Sequence, residues 1–355
     1  SQPSEVIQIF VSLPSVKSVI AKGDTKSSVL LSNNMQADLR VVPLKSFGAA
    51  MQYFTGSKEH NIKLRKIAIA KKLKLSEYGI FDSAGKQVAG KTEEDVYKKL
   101  GLSYIEPELR ENTGEIEAAS KGKLPKLVSL KDIQGDLHCH STWSDGNNTI
   151  EEMALAAKKL GYSYIAITDH SKSEYIANGL SEETLLKKIE EVKKVNKKLK
   201  GIRVLCGSEV NILEDGSLDY SDYILKKLDV VVVSVHSKFR MPKEEITARL
   251  VKAISNPYVN ILGHPTARHF GKREEMDIDM GKLIDAAKEH NVALEINSSP
   301  ARMDLRDAYV KKAVEKGAKI SVNTDSHSVE ELKFMEYGIG TARRGWCERK
   351  DVLNT

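Results

Sequence analysis

The chain has 355 residues, 41% hydrophobic and 29% charged, with a formal net charge of +6, a balance too modest to name nucleic acid as a partner. No run of 18 apolar residues occurs, which excludes a membrane-spanning helix, and no signal-peptide pattern precedes the first strand. The three cysteines, Cys139, Cys206 and Cys347, form no spaced pair, so the expectation is a reducing cytoplasm rather than a disulfide framework. The length suits one barrel of about 220 residues plus a smaller unit of about 90.

In chain order, Gln36 to Val42 is the first strand-like stretch of note, and Phe47 to Tyr53 followed by Phe54-Thr55-Gly56-Ser57-Lys58-Glu59-His60-Asn61 leads into a helix ending near Leu73. Lys58, Lys63, Arg65, Lys66, Lys71, Lys72 and Lys74 would by composition alone be a solvated basic face. Glu111 to Lys131 mixes Gly, Ser, Pro and Lys with little apolar periodicity before Leu124 and is expected to be an extended, partly mobile connection.

Seven apolar runs follow: Ile133 to Leu137, Tyr164 to Thr168, Arg203 to Gly207, Val230 to Val235, Val259 to Leu262, Val292 to Ile296 and Lys319 to Asn323. Each reads as a buried parallel strand. Helical patterns at Ile150 to Leu160, Glu182 to Leu199, Lys243 to Ile254, Met280 to His290 and Arg306 to Lys316 alternate with them. The fold class is therefore α/β, a seven-stranded β/α barrel with one strand fewer than the usual eight.

Six of the nine histidines, His138, His140, His170, His236, His264 and His327, stand at or just past the ends of these runs, with Asp145, Glu209 and Asp325 in similar places. One such histidine is ordinarily a satisfied core residue. Together they argue for metal, because strand alternation turns His138 and His140 to one side while Cys139 points away. In a β/α barrel, the face where strands give way to loops is the active-site face. Nine ligand-type residues exceed what one ion uses, about four for zinc and about six for manganese, so two or three ions are implied, with Glu209 the candidate bridge. Metal-bound water of pKa near about 7 would give hydroxide as nucleophile, and phosphoester hydrolysis fits best. The loops also carry Lys172, Lys238, Arg240, Arg268, Arg273 and Arg302. Singly these read as surface charge, but jointly they could grip a phosphodiester; Arg268 and Arg302 are favoured because each follows a strand-end proline by a few residues.

Gly135-Asp136-Leu137-His138-Cys139-His140, Trp143-Ser144-Asp145-Gly146, Thr168-Asp169-His170, Gly207-Ser208-Glu209, Ser234-Val235-His236, Gly263-His264-Pro265 and Thr324-Asp325-Ser326-His327 resemble the PHP (polymerase and histidinol phosphatase) domain over about residues 132 to 345. The resemblance implies a distorted seven-stranded barrel with three ions, Mn2+ or Zn2+. It would put His138, His140, Glu209 and Asp325 on the first ion, Glu209, His236 and His264 on the second, and Asp145, His170 and His327 on the third. Aspartate at 145 is the variant associated with polymerase-linked members, and Asp136 and Asp169 look like supports behind the ligands.

The segment from Gln36 to Asn61, with Lys74-Leu75-Ser76-Glu77-Tyr78-Gly79-Ile80-Phe81 and Gly90-Lys91-Thr92-Glu93-Glu94-Asp95-Val96-Tyr97, resembles the palm end and thumb of family X DNA polymerases. That resemblance implies palm over 1–43, thumb over 44–110, connection over 111–131 and PHP domain over 132–355. Asp38 matches the third palm carboxylate, which helps bind catalytic Mg2+. Tyr53, Phe54, Gly56 and Ser57 match the motif beside the incoming deoxynucleotide's sugar, Asn61 a minor-groove contact and Arg65 a template contact. Before Asp38 only Glu5 and Asp24 are acidic, so the expected aspartate pair is missing; the expectation is a piece of a longer polymerase without templated polymerisation of its own.

The expected function is metal-dependent 3′–5′ exonuclease or end cleaning on DNA 3′ ends in gapped or nicked duplex, with no membrane and no obligate protein partner. The alternatives are a small-molecule phosphomonoesterase of histidinol-phosphatase type and a structural module that has lost catalysis.

Overall fold

A computed structural model describes residues 2–355, which divide into two compact units at Leu124 and Pro125. No helix among the described residues is long and apolar enough to cross a membrane.

The first unit opens with α1 (Pro3–Val11) and an antiparallel sheet of β1 (Val16–Lys22), β2 (Lys26–Leu31) and β3 (Gln36–Arg40). Helices α2 (Phe47–Thr55) and α3 (Lys58–Ala70) follow, the second capped by the Ser57 hydroxyl, which accepts from the His60 backbone N–H. A small sheet of β4 (Lys74–Ser76), β5 (Gly79–Phe81) and β6 (Gln87–Ala89) precedes α4 (Glu93–Lys99), capped by Thr92. Leu64, Ala68, Ile80, Val96, Tyr97 and Leu109 are buried here.

The expected extended connection over 111–131 is corrected by helix α5 (Glu115–Ser120), with Ile116 and Ala119 buried and a 3-10 turn at Leu130–Asp132. Glu115 organises it. Its buried carboxylate accepts from the backbone N–H groups of Asn112 and Thr113 and lies 2.7 Å from His60 Nδ1, whose Nε2 is 2.9 Å from the Tyr97 hydroxyl. A six-residue helix anchored through a carboxylate leaves no hydrophobic period to read.

The second unit alternates β7 (Gly135–Cys139), α6 (Ile150–Lys159), β8 (Tyr164–Ile167), α7 (Glu182–Lys198), β9 (Arg203–Asn211), α8 (Asp222–Leu225), β10 (Val230–Ser234), α9 (Lys243–Ile254), β11 (Ile261–Leu262), α10 (Met280–Glu289), β12 (Ala293–Asn297), α11 (Asp307–Lys316), β13 (Ile320–Asn323) and α12 (Met335–Arg344). The seven strands form one parallel sheet in sequence order. The ring nearly closes where the Asp325 N–H donates to the His138 carbonyl at 2.9 Å and the His140 N–H to the Ser326 carbonyl at 2.8 Å. A large apolar cluster, including Ile167, Val231, Leu262, Leu294 and Val322, and a smaller one, including Ala166, Val232 and Ile261, are the core. All seven expected strands are present. The first starts later, at Gly135, because Leu130–Asp132 turns instead, and β9 runs on to Asn211 because buried Ser208 and Glu209 keep pairing with β10.

Candidate metal centre

Strand alternation builds the site from its floor. His138 and His140 are fully buried on the site side of β7, while Cys139 joins the large apolar cluster. Later strands then deliver one group after another around Glu209. Its Oε2 lies 3.1 Å from His170 Nδ1, 3.3 Å from His138 Nε2 and 3.5 Å from His140 Nε2. Its Oε1 lies 3.1 Å from His236 Nε2 and 2.9 Å from His264 Nε2. Asp325 Oδ1 is 3.1 Å from His140 Nε2 and 3.5 Å from His138 Nε2, and Asp145 Oδ2 is 3.3 Å from His327 Nε2 and 3.6 Å from His170 Nε2.

All nine expected residues thus meet. Eight of them form three overlapping groups able to hold an ion: His138, His140, Glu209 and Asp325; His170, Glu209 and His236; and His140, Asp145, His170 and His327. His264 joins none of them, its Nε2 meeting Glu209 Oε1, whereas His140 and His170 each serve two.

The donors fit divalent metal. Ring nitrogens of His138, His140, His170 and His264 are buried without a hydrogen-bond partner, which costs free energy unless something electropositive meets them. Mixed imidazole and carboxylate donors suit zinc, manganese or iron. Burial works against charge at Glu209, but His236, His138 and His170 hold its carboxyl well below the usual range. Burial and its histidine neighbours push His140 down to about 4. His327 goes the other way: burial opposes its charge, yet Asp145 and Asp325 raise it to about 9. Burial alone would raise Asp145, but His327 and His140 bring it down to about 2.

Backbone shape is part of the arrangement. His264 and Asp325 have φ of 25° and 56°, a left-handed region that costs about 1 to 3 kcal/mol each and concentrates at functional sites. A Cβ at Gly263 would sit 2.4 Å from Ser234 Oγ and 2.9 Å from Val232 Cγ1, so glycine lets the His264 loop approach β10.

Behind the ligands stand further supports, of which Asp136 and Asp169 were expected and Glu295, Asn211 and Lys188 were not. Glu295, fully buried on β12, holds His138 Nδ1 at 2.8 Å and accepts the His264 backbone N–H at 2.7 Å. A glutamate inside the apolar run Val292 to Ile296 was the available signal. Asn211 accepts a hydrogen bond from His236 Nδ1. Lys188 reaches from α7 to Asp169 at 2.8 Å, and Asp169 in turn accepts from the Ser141 N–H and from Ser144. Asp136 ties β7 to β13 by accepting from the His138 and Thr324 N–H groups.

The two favoured arginines differ. Arg302 Nε is 3.5 Å from Asp325 Oδ2, and its Nη1 is buried without a partner. Arg268 instead donates to the carbonyls of Arg302 and Met303 and pairs with Glu275 at 3.1 Å, so its guanidinium holds the Arg302 loop rather than facing the centre.

In the first unit, Asp38 lies exposed on β3, its carboxylate accepting from the Ser28 hydroxyl, and belongs to none of the three groups among the described residues. Asn61 is buried, accepting from Gln52 and donating to the Tyr53 carbonyl, whereas Phe54 and Arg65 are exposed. Gly56 and Ser57 connect α2 to α3, the Ser57 N–H donating to the Arg110 carbonyl at 2.8 Å.

Residues 136–299 match the PHP domain family and residues 50–111 the DNA polymerase beta thumb. A probable phosphatase of Thermoanaerobacter sp. (strain X514) is 35% identical over 232 residues, covering 62% of this chain and 89% of that protein. The chain belongs to the PHP family. In this PHP protein the barrel follows a polymerase beta thumb, and the DNA polymerase/3′-5′ exonuclease PolX of Bacillus subtilis (strain 168) is 44% identical to it over 355 residues. That match covers 99% of the chain, which spans 62% of the relative's length. A solved histidinol phosphate phosphatase from Lactococcus lactis is 19% identical, with a TM-score of 0.45, over 59% of this chain and 93% of that one.

Proposed function

We propose that this chain is a metal-dependent phosphodiesterase that trims DNA 3′ ends, the 3′–5′ exonuclease module of a family X DNA polymerase. The observation that carries the reading is the convergence of six histidines with Asp145, Glu209 and Asp325, ring nitrogens of four of the histidines being buried without a hydrogen-bond partner. The name of the Bacillus subtilis relative supports both activities.

In this reading the rim holds three ions, Mn2+ or Zn2+. Glu209 with His138, His140 and Asp325 would hold the first, Glu209 with His236 and His264 the second, and Asp145, His170 and His327 the third. Such ions, when bound, acidify water towards neutral pH and offset charge on the phosphoryl oxygens. Arg302 takes a phosphate oxygen through its free Nη1, while Arg268 keeps that loop in place. Residues 1–43 end a polymerase palm, with Asp38 one of the carboxylates that hold Mg2+ in a longer protein. The thumb over 44–110 supplies Tyr53, Phe54, Gly56, Ser57, Asn61 and Arg65 for DNA and deoxynucleotide, and the barrel over 132–355 supplies hydrolysis.

The test is hydrolysis of a 5′-labelled oligonucleotide by protein reloaded with Mn2+ or Zn2+, beside histidinol phosphate. Glu209→Ala should lower oligonucleotide turnover by at least about 100-fold. Intact turnover in Glu209→Ala after metal replenishment overturns the mechanism, and faster hydrolysis of histidinol phosphate than of DNA transfers the site to phosphomonoesters.

A further inference from the structure

Beside the rim lies a cavity of 930 Å³ between the loops that follow β10 and β11, lined by Lys238, Phe239, Arg240, Lys272 and Arg273 among others. One wall begins two residues past His236. The other is tied to the Arg302 loop, because the Phe270 N–H donates to the Ala301 carbonyl at 2.7 Å, and is braced within itself by Arg273 Nε, which donates to the Ala267 carbonyl at 2.6 Å. The groove therefore shares its walls with the loops of the metal rim.

Its charge is largely uncommitted. Arg240 and Lys272 are exposed and make no ion pair among the described residues, where Lys238 reaches only exposed Glu214 at 3.8 Å. The Arg273 guanidinium stacks on the Phe239 ring at 3.7 Å. Of the two carboxylates present, Glu275 is already paired with Arg268 and Arg306, leaving Glu274 alone against four cations. Across His236 the turn after β8 places Glu174 3.6 Å from His236 Nδ1, and the next two residues, Tyr175 and Ile176, are 85% and 95% exposed.

We propose that this groove, with Tyr175 at the rim, is the track for an unpaired DNA strand: phosphates lie along Lys238, Arg240 and Lys272, and a base near the 3′ end stacks on Tyr175. This rests on the nuclease reading of the rim. An unpaired strand is the fitting occupant because the reacting groups are recessed, with His138, His140 and Glu209 no more than 1% exposed, and only an unpaired base offers its face to an exposed tyrosine. A row of cations on flexible stems follows a backbone without reading sequence.

Binding is measured on the full chain in EDTA by fluorescence anisotropy with a single-stranded thymidine dodecamer. Lys238→Ala/Arg240→Ala/Lys272→Ala should weaken binding at least about tenfold at about 0.1 M salt and shrink the log–log salt slope by about 2. Tyr175→Ala should weaken it about fivefold or more. In metal-loaded protein the triple variant should raise KM for the oligonucleotide at least about fivefold more than KM for bis(p-nitrophenyl) phosphate, which is too short to span the groove. A photoreactive base four nucleotides from the 3′ end should cross-link within 170–180 or 236–275. Affinities within twofold of the parent for both variants, or cross-links confined to residues 40–110, overturn the proposal. Failure of the parent to cut either diester defeats the nuclease reading instead, while anisotropy and cross-linking still decide the groove.

Discussion

Replacing Lys188 by Met tests whether the rim stands on a buried ion pair. Lys188 is fully buried, its ammonium 2.8 Å from Asp169 Oδ2 and donating to the carbonyls of Ile167 at 2.9 Å and Gly207 at 3.0 Å, so one charge ties together β8, β9 and the residue before His170. Removing it orphans a buried carboxylate, which costs about 3 to 5 kcal/mol, and strips a donor from two carbonyls at about 1 kcal/mol each. Methionine regains part of this through packing, so a net loss of about 4 kcal/mol is expected in the calorimetric transition of the barrel. Asp169 fixes the sign with pH. Burial opposes its charge, but Lys188 and His140 hold it below the usual carboxylate range, so its contribution is present above the unfolded pKa and lost as pH falls. Without Lys188, burial raises that carboxyl, and the deficit of the variant should shrink as pH is lowered from neutral. Adding Asp169→Asn should recover at least about 2 kcal/mol. A loss below about 1 kcal/mol, or a deficit that grows on acidification, refutes the reasoning.

Two further outcomes follow from the supports and the histidines. Glu295→Ala removes the acceptor at His138 Nδ1 and the clamp on the His264 N–H, so metal affinity should fall about 10- to 100-fold, read by competition with a chromophoric chelator. In metal-free protein, His327, raised to about 9, contributes stability that is full below its unfolded pKa near 6.5 and lost as pH rises through 9; Asp145, lowered to about 2, contributes above 3.8 and loses it as pH falls through 2. Loading metal near pH 7.5 should therefore release the His327 proton, measured by titration calorimetry in buffers of different ionisation heat, and no buffer dependence would refute the pairing.

The barrel was legible because buried parallel strands are short apolar runs with helices between them, and the nine rim residues because they recur at the ends of those runs. What stayed hidden shares one cause: it depends on which side chain reaches which across long sequence separations. Lys188 sits among the lysines of α7, where Lys187 and Lys193 are exposed, but it falls at the i, i+3, i+7, i+10 spacing of buried Leu185, Val192 and Val195; that spacing turns it inward without saying what it meets. Arg268 and Arg302 looked equivalent by spacing from proline, yet one guanidinium closes on carbonyls and the other faces Asp325. Glu295 and Lys188 left the same trace, a charge at an apolar position.

The directions of the histidine shifts give the rim a physical logic. His138 and His236 are both disfavoured as cations by burial, yet Glu295, Asp325 and Glu209 raise the first and Glu209 and Glu174 the second, as Asp145 raises His327. His140, His170 and His264 are lowered, chiefly by burial. Each of the three candidate groups contains one raised imidazole and at least one lowered one. In metal-free protein, the carboxylates of each group thus favour a proton on one imidazole, while burial favours the neutral form, with its lone pair, of another beside it. Exchange of those protons for divalent cations keeps the buried charge compensated throughout, which is how a barrel can hold this many polar groups at its mouth and still fold.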